Sequence, residues 1–122
     1  MPSERTLMFW HYVTGLGILI AGAVHLATVF FTAPVRVNLA FDQGPFSVIG
    51  VYRNELLAAS LEALLLFVCF HGFNGLRVIL LELYQSPRWD RAVNWATALL
   101  GALVALYGTR TVLLAYLIGG LG

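Results

Sequence analysis

The sequence contains no lysine and little charge of any kind. Charged residues make up 11% of the 122 residues, and the seven basic residues, all of them arginines, nearly balance the six acidic ones. A net charge of +1 is too small to attract the phosphate backbone of a nucleic acid, so we expect no nucleic-acid partner. The single cysteine, Cys69, excludes a disulfide framework and a cysteine-based metal motif.

Apolar residues, in contrast, are abundant. They make up 60% of the chain, more than a soluble domain of this length could bury. Three continuous apolar runs, at about residues 8–31, 55–84 and 92–118, each exceed the roughly 20 residues that cross about 30 Å of hydrocarbon. Lipid admits only helices and closed barrels, and these runs do not alternate in polarity. We therefore predict a single all-α domain, residues 1–122, with three membrane-spanning helices.

The arginines outside the predicted spans suggest an orientation. Arg5, Arg88 and Arg91 fall on one side of the membrane, and Arg36 and Arg53 fall on the other. Positive residues are enriched on the cytoplasmic side, so we place the N-terminus and the segment 85–91, predicted as a tight hairpin, in the cytoplasm. The first residues lack the pattern of a cleaved signal peptide, so the first helix is expected to remain in the mature protein.

The second predicted helix is unusually polar for a membrane span, since it holds Glu62, His71, Asn74, Arg77 and Glu82. Insertion of an ionisable group at the bilayer centre costs roughly 2.5–3.5 kcal/mol, so such groups must face protein, a cofactor or water. At 100° per residue, His71 and Gly75 share one helix face.

A histidine beside a glycine suits a flat macrocycle. The imidazole of His71 can bind the iron of a haem, and the missing side chain of Gly75 lets the ring approach. Arg77 lies one to two turns nearer the cytoplasm, where it can reach a haem propionate or a partner subunit. The alternative is that His71 only hydrogen-bonds a neighbouring helix.

The first predicted helix carries two further histidines. His25 follows Gly22 by less than one turn and lies deep in the membrane, as His71 does, and the spacing does not distinguish one shared haem from two. His11 and its neighbour Tyr12 fall at the cytoplasmic interface, where an aromatic belt is the alternative explanation for them.

Two more charges fall inside the predicted spans at similar depth. Glu62 and Arg110 lie on antiparallel neighbouring helices, and each alone would be uncompensated, so we hypothesise an ion pair between them. In the competing interpretation, Arg110 meets a propionate of a haem in the outer leaflet, together with Arg36.

Three segments of the chain resemble a known family. Residues 71–84, HGFNGLRVILLELY, resemble the second-helix signature of the cytochrome b membrane anchors of succinate:quinone oxidoreductase: a His, then Asn-Gly, an Arg, and an acidic residue with a Tyr at the helix end. Residues 10–15, WHYVTG, resemble the start of the family's first helix. Residues 35–41, VRVNLAF, are similar to the smaller anchor of actinobacterial-type enzymes.

The resemblance implies a four-subunit complex in a prokaryotic cytoplasmic membrane, in which a flavoprotein oxidises succinate and an iron–sulfur subunit passes the electrons on. Two three-helix anchors then share one or two b-type haems and a quinone site. By resemblance, His71 is an axial ligand of haem iron and His25 ligates a second haem, with partner ligands from the other anchor. Arg77 and Arg110 are expected near the haem propionates.

The chain departs from the family pattern where the quinone binds. Tyr12 stands where the family's first helix carries an Arg, and Met8 stands where a Ser is common. The acidic residue at the end of the second helix is Glu82 instead of Asp, with Tyr84 two residues later. We expect Glu82 or Tyr84 near the quinone or its proton supply, and we place His11 and Tyr12 in the same vicinity.

Two other functions stay open at this point. The chain fits a haem b anchor of a different quinone-linked oxidoreductase. It also fits a subunit of a small proton-coupled transporter, in which Glu62, Arg77, Glu82 and Arg110 line a polar path, although the sequence lacks the repeats common in transporters.

Overall fold

The structure is a computed structural model that describes residues 2–32 and 54–120. Three α helices occupy nearly all of these residues: α1 (Glu4–Thr32), α2 (Glu55–Leu83) and α3 (Pro87–Gly120). Each contains a stretch long and apolar enough to cross a membrane, namely Glu4–Thr28, Glu55–Leu83 and Pro87–Ile118. The prediction of an all-α membrane protein with three spanning helices is confirmed. Arg36, Arg53 and the segment 35–41 lie outside the described residues.

Helix α1 begins at Glu4, earlier than the predicted start at residue 8. Ser3 caps it, since its hydroxyl accepts a hydrogen bond from the Thr6 amide at 3.3 Å and its carbonyl accepts one from the Leu7 amide at 3.0 Å. The longer helix places His11 about two turns from the helix start instead of one. His11 therefore lies deeper in the span than the sequence predicted.

Helix α3 also begins earlier than predicted, at Pro87 instead of residue 92. The dipeptide Ser86-Pro87 starts the helix: the Ser86 hydroxyl accepts a hydrogen bond from the Trp89 amide at 3.2 Å, and proline suits the first helical position because its missing N–H needs no partner there. The Trp89 indole donates to the Leu80 carbonyl at 2.7 Å, which occupies an acceptor in the last turns of α2.

The three helices lie in a row with α2 in the middle. Helices α1 and α3 each pack against α2, and within the described residues they do not contact each other. Along α2, the residues that meet α1 are Leu64, Phe67 and His71, and those that meet α3 are Glu62, Leu65 and Phe73. At 100° per residue the two sets fall on opposite sides of α2. Among the described residues, the row therefore leaves both flanks of α2 uncovered.

Glycines let the helices approach. A Cβ at Gly17 of α1 would lie 2.6 Å from the Phe67 ring, and a Cβ at Gly108 of α3 would lie 2.6 Å from Leu65. Small residues at such contacts allow close backbone packing, which drives helix association in lipid. The buried apolar residues are small as well, whereas many large apolar side chains point outward, as lipid or a partner chain requires.

Successive helices run antiparallel, so the start of α1 and the connection between α2 and α3 share one end of the row. We call this the hairpin end; it contains Glu4 and residues 84–86. Arg5, Arg88 and Arg91 lie at this end, as the predicted orientation requires. Its location in the cytoplasm stays a prediction.

Candidate functional site

Two histidines from different helices stack on each other between α1 and α2. The rings of His11 and His71 have their centroids 3.8 Å apart and are inclined by only 16°. We call them the histidine pair. The sequence placed His11 at the membrane surface and His71 deep in the membrane; the early start of α1 and the antiparallel packing bring them together.

Each histidine lies against a glycine of the opposite helix. A Cβ at Gly15 of α1 would lie 3.1 Å from Cε1 of His71, and a Cβ at Gly75 of α2 would lie 3.5 Å from Cε1 of His11. In both helices the glycine follows the histidine by four residues, so the arrangement is reciprocal. The space beside Gly75 is thus filled by His11, and a contact between Gly75 and a cofactor stays a prediction.

Hydrogen bonds fix which nitrogen of each ring carries the proton. Nδ1 of His71 lies 3.0 Å from the carbonyl oxygen of His11, and because a carbonyl only accepts, this nitrogen must donate. Nε2 of His71 then retains its lone pair. The side-chain amide nitrogen of Asn74, which can only donate, lies 3.3 Å from Nδ1 of His11, so the proton of His11 is on Nε2.

The backbone of α1 at the pair is tied down by Thr14. Its hydroxyl lies 2.7 Å from the carbonyl of Trp10 and 3.1 Å from that of His11, within reach of both as a donor. Thr14 and Asn74 are both buried, although they are polar residues inside a membrane span. Buried polar groups at such depth are expected to have a partner, and here both act on His11.

Arg77 joins all three helices close to the hairpin end. Its guanidinium is buried and donates through Nε to the Asn94 side-chain oxygen of α3 at 2.5 Å. Its two terminal nitrogens donate to the two carboxylate oxygens of Glu4 at the start of α1, one of them at 3.1 Å. We call Glu4, Arg77 and Asn94 the arginine clamp. A contact between Arg77 and a haem propionate stays a prediction.

His25 lies well away from the histidine pair. The contacts of Gly15 with His71 and of Gly22 with Leu64 set the register of α1 against α2. Continued along the helices, this register puts His25 about ten residues from His71, which is about 15 Å along the helix axis. The His25 side chain makes no hydrogen bond within residues 2–32 and 54–120. The two histidines, whose depths the sequence did not separate, are thus at different levels.

The hypothesised ion pair between Glu62 and Arg110 is wrong. Glu62 accepts a hydrogen bond from the hydroxyl of Thr109 at 2.6 Å, while Arg110 is exposed. The only ion pair among the described residues is the one in the arginine clamp. Glu62 does lie beside this turn of α3, but adjacent residues point 100° apart around a helix, so Thr109, the neighbour of Arg110, makes the contact. The second oxygen of Glu62 is buried without a hydrogen-bond partner in the described part of the chain.

The residues expected near a quinone do not form one cluster. Glu82, Tyr84 and Tyr12 are exposed, and Tyr84 packs edge to face on Trp89 with ring centroids 6.1 Å apart. Glu82 and Tyr84 lie at the hairpin end, whereas His11 lies about 10 Å further along the helix axis, within the histidine pair. Their expected role at a quinone stays a prediction.

His71 has the hydrogen bonding of a histidine that could bind a metal. Its Nδ1 donates to a backbone carbonyl and Nε2 keeps a free lone pair, which is the usual state of a metal-binding histidine. Within the described residues, no group of three or more His, Cys, Asp or Glu side chains could hold a metal ion. A haem, which would need fewer ligands from the protein, would fit a single histidine such as His71.

Sequence reasoning missed the contacts that organise this site. It did not pair His11 with His71, and it assigned no role to Glu4, Asn94 or Thr109. One signal was present: His11 and His71 are each followed four residues later by glycine, which places a large ring and a gap on the same face of each helix, as reciprocal packing of two antiparallel helices requires.

Comparison with known proteins agrees with this architecture. The family model described as the succinate dehydrogenase/fumarate reductase transmembrane subunit matches residues 2–114. The chain is 30% identical over 86 residues to the succinate dehydrogenase 2 membrane subunit SdhC of Mycobacterium tuberculosis (strain ATCC 25618 / H37Rv), an alignment that covers 70% of this chain and 59% of that protein. No solved structure matches the chain. The chain belongs to the family of succinate dehydrogenase/fumarate reductase transmembrane subunits.

Proposed function

We propose that the chain is a haem b-containing membrane anchor of a succinate dehydrogenase, which passes electrons from succinate to a membrane quinone. In this reaction succinate loses two electrons and two protons to give fumarate, and the quinone takes up two electrons and two protons to give the quinol. The chain carries out neither half reaction alone. Its share is to hold the haem, which when bound accepts and releases one electron at a time.

The state of His71 is the observation that carries this proposal. Nδ1 donates to the backbone carbonyl of His11, so Nε2 presents a lone pair for iron and the ring cannot rotate freely. The ring of His11 covers one face of the imidazole, and Gly15 leaves just enough room on the other helix. His71 also lies close to the middle of α2, at the membrane depth expected of a carrier between the two leaflets.

A haem held by His71 would need a further protein ligand that the described residues do not supply. The imidazole of His11 is stacked on that of His71, with the ring centroids 3.8 Å apart and the planes nearly parallel, so the two rings are not placed to hold one haem between them. His25 lies about 15 Å away along the helix axis, so it would hold a different haem. We therefore infer that any haem bound by His25 is a second one, and that the partner anchor would supply the remaining ligands.

The row of helices supports a partner anchor as well. A Cβ at Gly72 would meet no atom of the described residues within 4 Å, so those residues leave this flank of α2 beside His71 open. Apolar residues such as Val68 and Ile79 are 48% and 58% exposed on the same flank, where a second three-helix anchor can pack. The iron–sulfur and flavoprotein subunits are proposed to dock at the hairpin end, on the cytoplasmic side of a prokaryotic membrane.

The visible spectrum of the purified complex tests the proposal. Reduced wild-type protein is expected to show a b-type α-band, and His71→Ala is expected to abolish the band of the haem that it ligates. His25→Ala is the matched control: it leaves the His71 haem in place and lowers the haem-to-protein ratio only if His25 holds a second haem. Colourless wild-type protein, assembled with its partners, would contradict the haem assignment.

The co-purifying subunits distinguish the remaining alternatives. A flavoprotein and an iron–sulfur subunit that oxidise succinate are expected to co-purify with the chain. Haem without succinate oxidation would indicate an anchor of another quinone-linked oxidoreductase. A colourless protein that moves protons or solutes in vesicles would indicate a transporter subunit.

A further inference from the structure

Asn74 is a buried amide inside a membrane span, and its side chain is directed at the histidine pair. It is 7% exposed and lies on the side of α2 that faces α1. Viewed down the helix axis, it falls between His71 and Arg77. Within the described residues its one side-chain hydrogen bond is to Nδ1 of His11, at 3.3 Å. A leucine, which has the same number of side-chain heavy atoms, would lose less hydration free energy on entering the membrane, so the polar amide requires an explanation.

The geometry gives that reason, because α2 holds His11 at two points. Asn74 donates to the ring of His11, while His71 donates to its backbone carbonyl. The first bond fixes the ring of His11 in plane and in tautomer. The fixed ring then lies flat against His71, with an inclination of 16°.

We propose that Asn74 is a positioning residue that acts on His71 through His11. With the His11 ring fixed, His71 is confined between that ring and the backbone of Gly15, where a Cβ would already be 3.1 Å away. Nε2 of His71 is thereby held in a single direction. The part of this inference that concerns the haem rests on the proposed function; the part that concerns the two rings does not.

Histidine nitrogen NMR tests the ring geometry without any haem. The chain has three histidines, so ¹⁵N-histidine labelling of the full chain in lipid bilayers gives few signals to assign. Wild type is expected to show His71 protonated on Nδ1 and His11 protonated on Nε2. In Asn74→Leu, which keeps the branching and the number of heavy atoms of the side chain but removes the donor, the His11 signals are expected to shift to a tautomer mixture and those of His71 to broaden.

The haem-loaded complex tests the consequence. Mutation of the groups that orient a metal-binding histidine typically weakens metal binding by about 10–100-fold. Asn74 acts on His71 only through His11, so for Asn74→Leu we expect the low end of this range, about tenfold faster loss of haem to an acceptor protein. Thr97→Val is the matched control: Thr97 is also buried and polar, but its hydroxyl donates to Val93 within α3. It is expected to retain the wild-type rate of haem loss.

A double-mutant cycle shows whether the effect runs through His11. His11→Phe keeps a flat ring and the backbone carbonyl but removes the nitrogen that Asn74 binds. On this background Asn74→Leu is expected to have no further effect on the haem or on the His71 signals. A full additional effect would overturn the proposal, because Asn74 would then act by another route.

The two proposals fail in different ways. Unchanged His11 and His71 signals in Asn74→Leu would overturn the positioning role even if the wild-type complex carries haem. A colourless wild-type complex would overturn the haem assignment, while the NMR signals alone would then decide whether Asn74 positions the two rings.

Discussion

Substitution of Gly15 by alanine is expected to disturb the histidine pair, whereas the same change at Gly75 is expected to be tolerated. The new methyl at residue 15 would lie 3.1 Å from Cε1 and 3.4 Å from Nδ1 of His71, so the ring must move by a few tenths of an ångström. The ring cannot yield freely, because Nδ1 is bonded to the His11 carbonyl at 3.0 Å and His11 covers its face. At residue 75 the methyl would meet Cε1 of His11 at 3.5 Å, an ordinary van der Waals contact.

The two variants share the helix preference of alanine over glycine, so their difference reports mainly the crowding. Alanine is favoured over glycine in a helix by about 1 kcal/mol, and this gain applies to both positions. Crowding of a well-packed site costs about 1–3 kcal/mol and applies only to Gly15→Ala. We therefore expect Gly75→Ala to be as stable as wild type or slightly more so, and Gly15→Ala to be less stable than Gly75→Ala by about 1–3 kcal/mol.

Reversible unfolding in mixed micelles measures this difference, and the haem-to-protein ratio reports its effect on His71. Gly15→Ala is expected to lose haem first, while Gly75→Ala retains it. The opposite order, with Gly75→Ala losing haem and Gly15→Ala unchanged, would refute the reciprocal packing. It would instead support the sequence-based expectation that the space beside Gly75 admits the macrocycle.

Two further predictions concern the contact between α2 and α3. Gly108→Ala is expected to destabilise the chain, because the added methyl would lie 2.6 Å from Leu65. The crowding costs about 1–3 kcal/mol, and the helix preference of alanine offsets about 1 kcal/mol of it. Leu65→Ala is expected to cost less in the Gly108→Ala chain than in wild type, and full additivity of the two changes in an unfolding assay would contradict the contact. Thr109→Val is expected to cost about 1–3 kcal/mol, because Glu62 loses its hydrogen-bond donor. Glu62→Gln keeps an acceptor for Thr109 without a charge and should leave stability nearly unchanged; equal losses in both variants would show that the carboxylate charge itself matters.

The spans could be predicted from the sequence because their lengths and continuous apolar character reflect the thickness of the bilayer. The helix starts were predicted less well. Ser3 and Ser86-Pro87 are polar or helix-breaking by composition, but at a helix N-terminus the same residues act as caps. A prediction that takes the helix ends from the ends of the apolar runs cannot include these polar residues.

Of the residues at the site, the sequence singled out those that are costly to place in lipid, but it did not show which of them meet. His71 was singled out because an imidazole in a lipid span is costly unless it has a use. Its neighbour His11 was placed near the quinone instead of beside His71, since a helix assumed to start at residue 8 leaves His11 at the membrane surface. The error for Glu62 was one of direction: depth follows from counting residues, but the side that a residue faces depends on a rotation known only once the helices are packed.

The row of helices has a consequence for how the protein is made. Since α1 and α3 contact only α2 within the described residues, α2 is the first of the described helices against which α1 can pack. The histidine pair needs only α1 and α2, so it can form while the ribosome is still synthesising α3. When α3 enters the membrane, Asn94 accepts its hydrogen bond from Arg77 and completes the arginine clamp, in which Glu4 is already bound to Arg77. A chain truncated after residue 86 is therefore expected to assemble the histidine pair and to lack only the last of these contacts.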